Sequence, residues 1–191
     1  MPPVTLQDAK ILHQDISAGN IIILDDESEA APKGILIDLD TALDLTEERD
    51  PDRGITGTRP FMAIGTLKRE FRTYRHDLEA FFYVFLWAVI TNRASSPPET
   101  SKLLEWSTGD WEQLAKRKSL DMDADIFGLI TAEFPQELRS LKPLAESLHR
   151  ILFPLRDGKI WTGSDDSSGA AGALYDMINA FEDVITPDAT E

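Results

Sequence analysis

The sequence predicts a mainly α fold with one small β-hairpin close to its start. Three observations carry that prediction. Two short aliphatic runs, residues 21–24 (IIIL) and 35–37 (ILI), flank a polar turn containing Pro32 and Gly34. One long apolar run, residues 80–90 (AFFYVFLWAVI), follows a charged stretch without period. Several amphipathic stretches then fill the second half.

Length and composition bound the rest. The 191 residues, 42% of them hydrophobic, suffice for one sizeable core and read as one domain. Cysteine is absent, which excludes disulfides, thiolate metal sites and a cysteine nucleophile, and fits an intracellular setting, cytoplasmic or nuclear. Thirty-four acidic against nineteen basic residues give a net charge of −15. Such a surface repels polyanions, so nucleic-acid and anionic-membrane roles are disfavoured. The acidic runs 25–27 and 47–48 read as solvated loops. Met1-Pro2-Pro3 opens no secretory signal, and the run 80–90 is too short to span a bilayer.

Taken in order, residues 4–12 form a lead-in that closes a helix before His13. The two β-branched runs pair as an antiparallel hairpin. The loop ahead of the first strand carries Asp15 and Asn20, and the second strand ends in Asp38, so the hairpin gathers three oxygen-bearing side chains at one edge. Residues 41–60 are a long loop. A helix runs from His76 to Ile90 and is ended by Pro97-Pro98. Pro98-Glu99 opens another stretch, Asp110 caps the next helix, and Phe134-Pro135 starts one that reaches about Leu152. Residues 163–172, rich in Gly and Ser, read as a flexible link before a last helix over 173–185. Phe81, Phe82, Phe85, Leu86 and Val89 are core by spacing, Trp106 and Trp111 pack, and His149 lies on a helix surface.

The chemistry sits in His13-Gln14-Asp15-Ile16-Ser17-Ala18-Gly19-Asn20 and Asp38-Leu39-Asp40. Phosphoryl transfer needs a group that orients and deprotonates the attacking hydroxyl, and Mg²⁺ to neutralise phosphate charge. Asp15, on a loop, suits the first task. Mg²⁺ takes hard oxygen ligands and keeps several waters, so Asn20 and Asp38 suffice from the protein. His13 braces the loop. Either motif alone is weak, because Asp and Asn in turns commonly cap backbone amides. Their order and the hairpin between them make the joint pattern specific.

At this point the chain resembles a known family. His13-Gln14-Asp15 with Asn20 looks like the catalytic loop H-R-D-x-x-x-x-N of protein kinases, and Asp38-Leu39-Asp40 like their D-F-G. Gly57-Thr58-Arg59-Pro60-Phe61-Met62-Ala63 resembles the end of an activation segment, and His76-Asp77-Leu78-Glu79 the start of the central helix of the C-terminal lobe. The wording is most similar to fungal-type protein kinases, from about Leu12 to Trp106. The resemblance implies a protein kinase-like C-terminal lobe divided into a catalytic loop and metal-binding hairpin (12–40), an activation-segment-like loop (41–66) and a helical subdomain (75–191). It implies transfer of the γ-phosphoryl of ATP, with Mg²⁺, to protein Ser/Thr hydroxyls. Asp15 then corresponds to the base, Asn20 and Asp38 to the metal ligands, and Asp77 to the aspartate that holds the catalytic-loop backbone. Thr58 shapes the substrate-facing loop, and Thr56 and Thr58 are candidate modification sites.

Departures from the family pattern are informative. Gln14 replaces the arginine that pairs with an activation-loop phosphate, and Ser17 a lysine that contacts the transferred phosphate. Asp40 replaces the D-F-G glycine, and Ile64-Gly65 the Pro-Glu that closes the activation segment, which removes an expected ion pair. The N-terminal lobe, with its Gly-rich loop, lysine and helix glutamate, has no counterpart in the twelve residues before His13. Gly163, Gly169 and Gly172 do not replace that loop, since no strand precedes them. The expectation is therefore a truncated kinase, weak or inactive by itself. A non-catalytic, pseudokinase-like interaction module is a second reading, with Ile16, Ile21 and Leu39 on an exposed face that takes a protein partner or another copy. A small-molecule phosphotransferase of the aminoglycoside or choline kinase type is a third, disfavoured by the GTRPFMA segment.

Overall fold

The computed structural model describes residues 10–24, 34–46, 54–162 and 167–185, and the side chains of all of these except 167–171. The apolar run becomes the axis of the molecule. Helix α2, Tyr74–Thr91, follows a short helix α1, Ile64–Leu67. It starts two residues earlier than the periodicity predicts, because Thr73 and His76 form a capping box in which the His76 ring takes the Thr73 amide N–H at 3.0 Å. It ends at Asn92, whose φ of 44° stops the helix well before the prolines.

Three further helices pack around this axis: α3, Trp111–Asp121; α4, Phe127–Ala132; and α5, Lys142–Leu152. Asp110 caps α3 as expected, accepting the Gln113 N–H at 2.8 Å. Ahead of α5, residues 136–141 form a 3-10 segment rather than a continuous helix. Phe82 on α2 sits at the centre, ring centroids about 6 Å from Phe127 on α4 and Phe153 after α5. Tyr83 stands edge-on to Trp106 at 5.0 Å. Phe82, Leu86 and Val89 are buried, whereas Phe81 and Phe85 are only half-buried. Phe85 still packs edge-on against Phe181 of the last helix, α6, Ser167–Ile185.

Among the described residues the strands are short and occur in three antiparallel pairs. The predicted hairpin is β2, Ile21–Ile23, against β3, Gly34–Leu36, with Ile22 opposite Ile35. Two strand pairs fall where none is expected. β1, Ile11–Leu12, pairs with β4, Leu43–Asp44, so the chain just ahead of His13 is extended rather than helical, and the long loop begins by turning back onto it. β5, Leu155–Arg156, and β6, Lys159–Ile160, flank Asp157 and Gly158, both at positive φ, which is the turn that suits a two-residue hairpin loop.

Other expectations are also corrected. Residues 167–172 are the first turns of α6, not a link, so Gly169 and Gly172 are helical. His149 is buried, not superficial: it stacks on Phe127 at 4.1 Å, and its Nε2–H donates to the Met122 carbonyl at 2.8 Å. Ile16 is buried too, which removes it from the exposed apolar face. The acidic runs 25–27 and 47–48, residues 4–9, Pro32 and Gly163 lie outside the described residues. Among the described residues no helix is long and apolar enough to cross a membrane.

Candidate functional site

The site is assembled on the first turn of α2. Asp77 projects from it, buried, and its two carboxylate oxygens accept the backbone N–H groups of His13 at 2.7 Å and Gln14 at 3.1 Å. Those amides belong to a tight turn with Gln14 at φ 66°, so no helix or sheet can satisfy them, and a carboxylate beneath the turn does. Burial pushes the Asp77 carboxyl up to about 6, and the two amide bonds oppose that rise.

His13 ties the turn to the hairpin. Its Nε2–H donates to the Ile37 carbonyl at 2.9 Å, and its Nδ1 accepts the Asp15 N–H at 3.3 Å, one consistent neutral tautomer. Thr41 adds a hydroxyl bond to the His13 carbonyl at 3.3 Å, reinforcing the β1–β4 pair. His13 is therefore a brace, fully buried.

Asp15 is gripped from two sides. Its Oδ1 accepts both the N–H and the hydroxyl of Thr58, each at 2.7 Å. Asn20 Nδ2 donates to the Asp15 carbonyl at 2.9 Å and lies 3.5 Å from Asp15 Oδ2. The carboxylate thus has one oxygen locked by Thr58 and the other beside Asn20. The Ile37 N–H donates to the Asn20 carbonyl at 2.9 Å, extending the β2–β3 ladder by one pair and setting Asp38 next along the same edge. Asp38 is exposed and takes φ 67°, a left-handed backbone that turns the chain out of the strand.

The structure accordingly brings Asp15, Asn20 and Thr58 into direct contact, sets Asp38 one residue beyond Ile37, which bonds both Asn20 and His13, and holds the His13–Gln14 turn from Asp77. With its amide nitrogen turned to Asp15, Asn20 can ligate only through Oδ1. One amide oxygen and one carboxylate match the hard-oxygen, partly hydrated demand of Mg²⁺.

Three contributors are missed by sequence reasoning. Arg72 donates to the Gln14 side-chain oxygen, to Thr56 Oγ1 at 2.9 Å and to the Gly54 carbonyl at 3.1 Å, fastening residues 54–56 to the His13–Asp15 turn. Gln14 thus receives an arginine rather than being one. Glu79, fully buried, accepts the Ile64 N–H at 2.7 Å, the Tyr83 hydroxyl at 2.7 Å and the Arg75 guanidinium at 2.6 Å. Glu79 thus ties the start of α1 to α2 through the Ile64 amide, while its ion pair, with Arg75, lies within α2. Its signal was legible: Arg75, Glu79 and Tyr83 recur at i, i+4 on a helix otherwise read as core. Third, His76 lies against Gly65, where a Cβ would come within 2.3 Å of its Nε2. The ring lines a cavity of about 20 Å³ beneath Asp15 and Gln14, room for roughly one water. Its Nε2 and Gln14 Nε2 are both buried there without a protein partner.

The family model of the fungal protein kinases matches residues 4–89. The matched stretch takes in the His13–Asn20 loop, the hairpin, Thr58 and Asp77, and ends inside α2. No curated protein matches the chain.

Proposed function

Residues 4–89 make the chain a member of the fungal protein kinase family, and from that premise we propose that it forms the C-terminal lobe of a kinase that phosphorylates protein Ser/Thr hydroxyls. In this reading residues 12–40 are the catalytic loop and metal-binding hairpin, 41–66 the activation segment and 75–191 the helical subdomain. The observation that carries it is the Asp15 carboxylate, held by two Thr58 donors on Oδ1 and flanked by Asn20 at Oδ2.

Thr58 fixes the rotamer of Asp15 and leaves Oδ2 to take the proton of a substrate hydroxyl. As the hydroxyl oxygen attacks the γ-phosphorus of ATP, the proton passes to Asp15 and ADP leaves. Bound Mg²⁺ supplies charge neutralisation on the phosphates. Asn20 Oδ1 and the Asp38 carboxylate are the residues that hold it, and Asp77 and His13 keep them in register.

Manganese titration with NMR detection tests the metal half without requiring turnover. Mn²⁺ should broaden Asn20, Asp38 and Asp15 first, and Asp38→Asn should abolish the effect. First broadening elsewhere would overturn the assignment. The 191-residue chain should bind Mg·ATP no tighter than about 1 mM, near −4 kcal/mol, because the site residues offer metal ligands but no phosphate-pairing lysine. A micromolar site would show that it is complete as it stands. Any peptide phosphorylation should fall by at least about 100-fold in Asp15→Asn.

A second reading is favoured by one observation: Ile22, Ile35, Ile37 and Leu39 are all exposed around the hairpin. An interaction module would use that face, and Leu39→Asp would then abolish self-association or partner binding while leaving manganese broadening unchanged.

A further inference from the structure

The loop that carries Thr58 runs on through Arg59, Pro60, Phe61, Met62 and Ala63 into α1. It is fastened at three points, the deepest of which involves Lys118 on α3. Arg59 lies over the Trp111 ring at 4.3 Å and donates to the Gly109 carbonyl. Glu79 holds the far end through the Ile64 N–H at 2.7 Å. Between them, Lys118 Nζ donates to the Pro60 carbonyl at 2.8 Å and the Met62 carbonyl at 2.7 Å. Lys118 has no solvent exposure, and its ammonium rests on the Tyr83 ring at 3.8 Å and the Trp106 ring at 4.8 Å.

A lysine buried to that degree is costly, and an apolar side chain of the same length would pack the site more cheaply. What an apolar chain cannot do is bond two carbonyls two residues apart, which fixes the backbone between them. We propose that Lys118 is a positioning residue that, with Glu79, sets the backbone of residues 60–64 as the surface that receives the substrate peptide, and so holds Thr58 against Asp15. This deepens the kinase reading and rests on it for the identity of the ligand, a Ser/Thr-containing peptide. The clamp itself rests only on the geometry.

The test is hydrogen exchange on the full chain. Lys118→Met should speed exchange of the amides in residues 58–64 by about tenfold or more, the scale of two lost hydrogen bonds, while mid-α2 amides keep their protection. Because the chain contains no cysteine, Lys118→Cys can be aminoethylated at that position alone while unfolded and then refolded, which restores an ammonium of lysine length. Loop protection should return. Should Lys118→Met lose global protection, the wild-type chain answers instead: ¹⁵N-lysine labelling should show one slowly exchanging Nζ resonance with contacts to Pro60 and Met62. Unchanged loop exchange in Lys118→Met, no recovery on aminoethylation, or no such Nζ resonance would overturn the clamp. If the clamp holds but neither wild type nor variant binds or phosphorylates Ser/Thr peptides, the kinase reading fails and the clamp stands. If both hold, Lys118→Met should raise the peptide KM with little change in nucleotide affinity.

Discussion

Two adjacent residues at the start of α2 pull the stability of this protein in opposite directions as pH changes. Burial draws the His76 imidazole down to about 4 from its ordinary 6.5. Burial also pushes the Asp77 carboxyl up to about 6 from 3.8. His76 is thus held neutral by the fold, and its contribution is fully present above pH 6.5 and lost as pH falls toward 4. Asp77 has the opposite sign: the unfolded chain ionises more readily, so its contribution is present below pH 3.8 and lost as pH rises through about 6. Each slope is worth on the order of 3 kcal/mol across nearly the same window, so in the wild-type chain they largely cancel. Single substitutions should separate them. His76→Gln, which keeps a side chain able to close the capping box, should leave a protein whose stability falls between pH 4 and 6. Asp77→Asn should leave one whose stability rises from pH 4 to 6.5. It should also lose about 1–3 kcal/mol at pH 7, because its amide nitrogen now meets a backbone N–H. Urea midpoints at half-unit pH steps read both slopes, and parallel pH profiles in the two variants would refute the assignment.

At the scale of elements, what the sequence makes legible depends on whether a local signal and the tertiary outcome agree. The apolar run became α2, the β-branched pair became β2–β3, and Asp110 capped α3, because each carries its own chemistry. β1 and β4 pair across some thirty residues through two-residue strands, too short to leave a periodic trace. Glycine in residues 167–172 suggested a link, but α6 packs its later turns on α5 and α2 and carries the weak first turns with it. His149 and Lys118 were hidden by residue type. Lys118 nevertheless continues the stripe of Leu114 and Met122 at four-residue spacing, and His149 follows Ala145 in the same way. Polar residues on an apolar stripe were the available clue. The contact of α1 with α2 gives a sharper test. A Cβ on Gly65 would meet His76 Nε2 at 2.3 Å and Glu70 Oε2 at 2.9 Å, and the capping ring cannot retreat without releasing Thr73. Gly65→Ala should therefore cost about 1–3 kcal/mol, measured by thermal or urea unfolding. A Gly65→Ala chain as stable as wild type would mean that α1 shifts freely, and that the His76 ring is not confined.

Across the whole molecule, Asp15 and Asn20 were legible as neighbours because they share one short loop, and Asp77 was legible as the residue beneath the His13–Gln14 turn, whereas the contact of Thr58 with Asp15 was not. The partners of Arg72, Glu79 and Lys118 were not legible either, since each joins segments whose proximity only the packed core decides; helix spacing marks Glu79 and Lys118 but not what they hold. Net charge is the one global property visible from composition alone, and it makes a prediction of its own. Thirty-four acidic residues against nineteen basic ones leave an excess of −15, and confining that charge in a folded volume raises its self-repulsion. The Arg75–Glu79 pair is buried and insensitive to salt. Lys116–Glu112 is largely exposed, with side chains 75% and 79% accessible, and Arg117–Glu105 is partly so. Such exposed pairs add little to stability and weaken as salt rises. Repulsion among the excess charges is the larger effect, and it also weakens as the screening length falls from about 30 Å at 0.01 M salt to about 8 Å at 0.15 M. Raising sodium chloride over that range should therefore stabilise the chain by on the order of 1 kcal/mol, a rise in melting temperature of roughly 2–4 °C for a domain of this size. The urea midpoint should rise with an unchanged slope. A fall in the midpoint would mean that exposed ion pairs, rather than the acidic excess, govern the electrostatics of the fold.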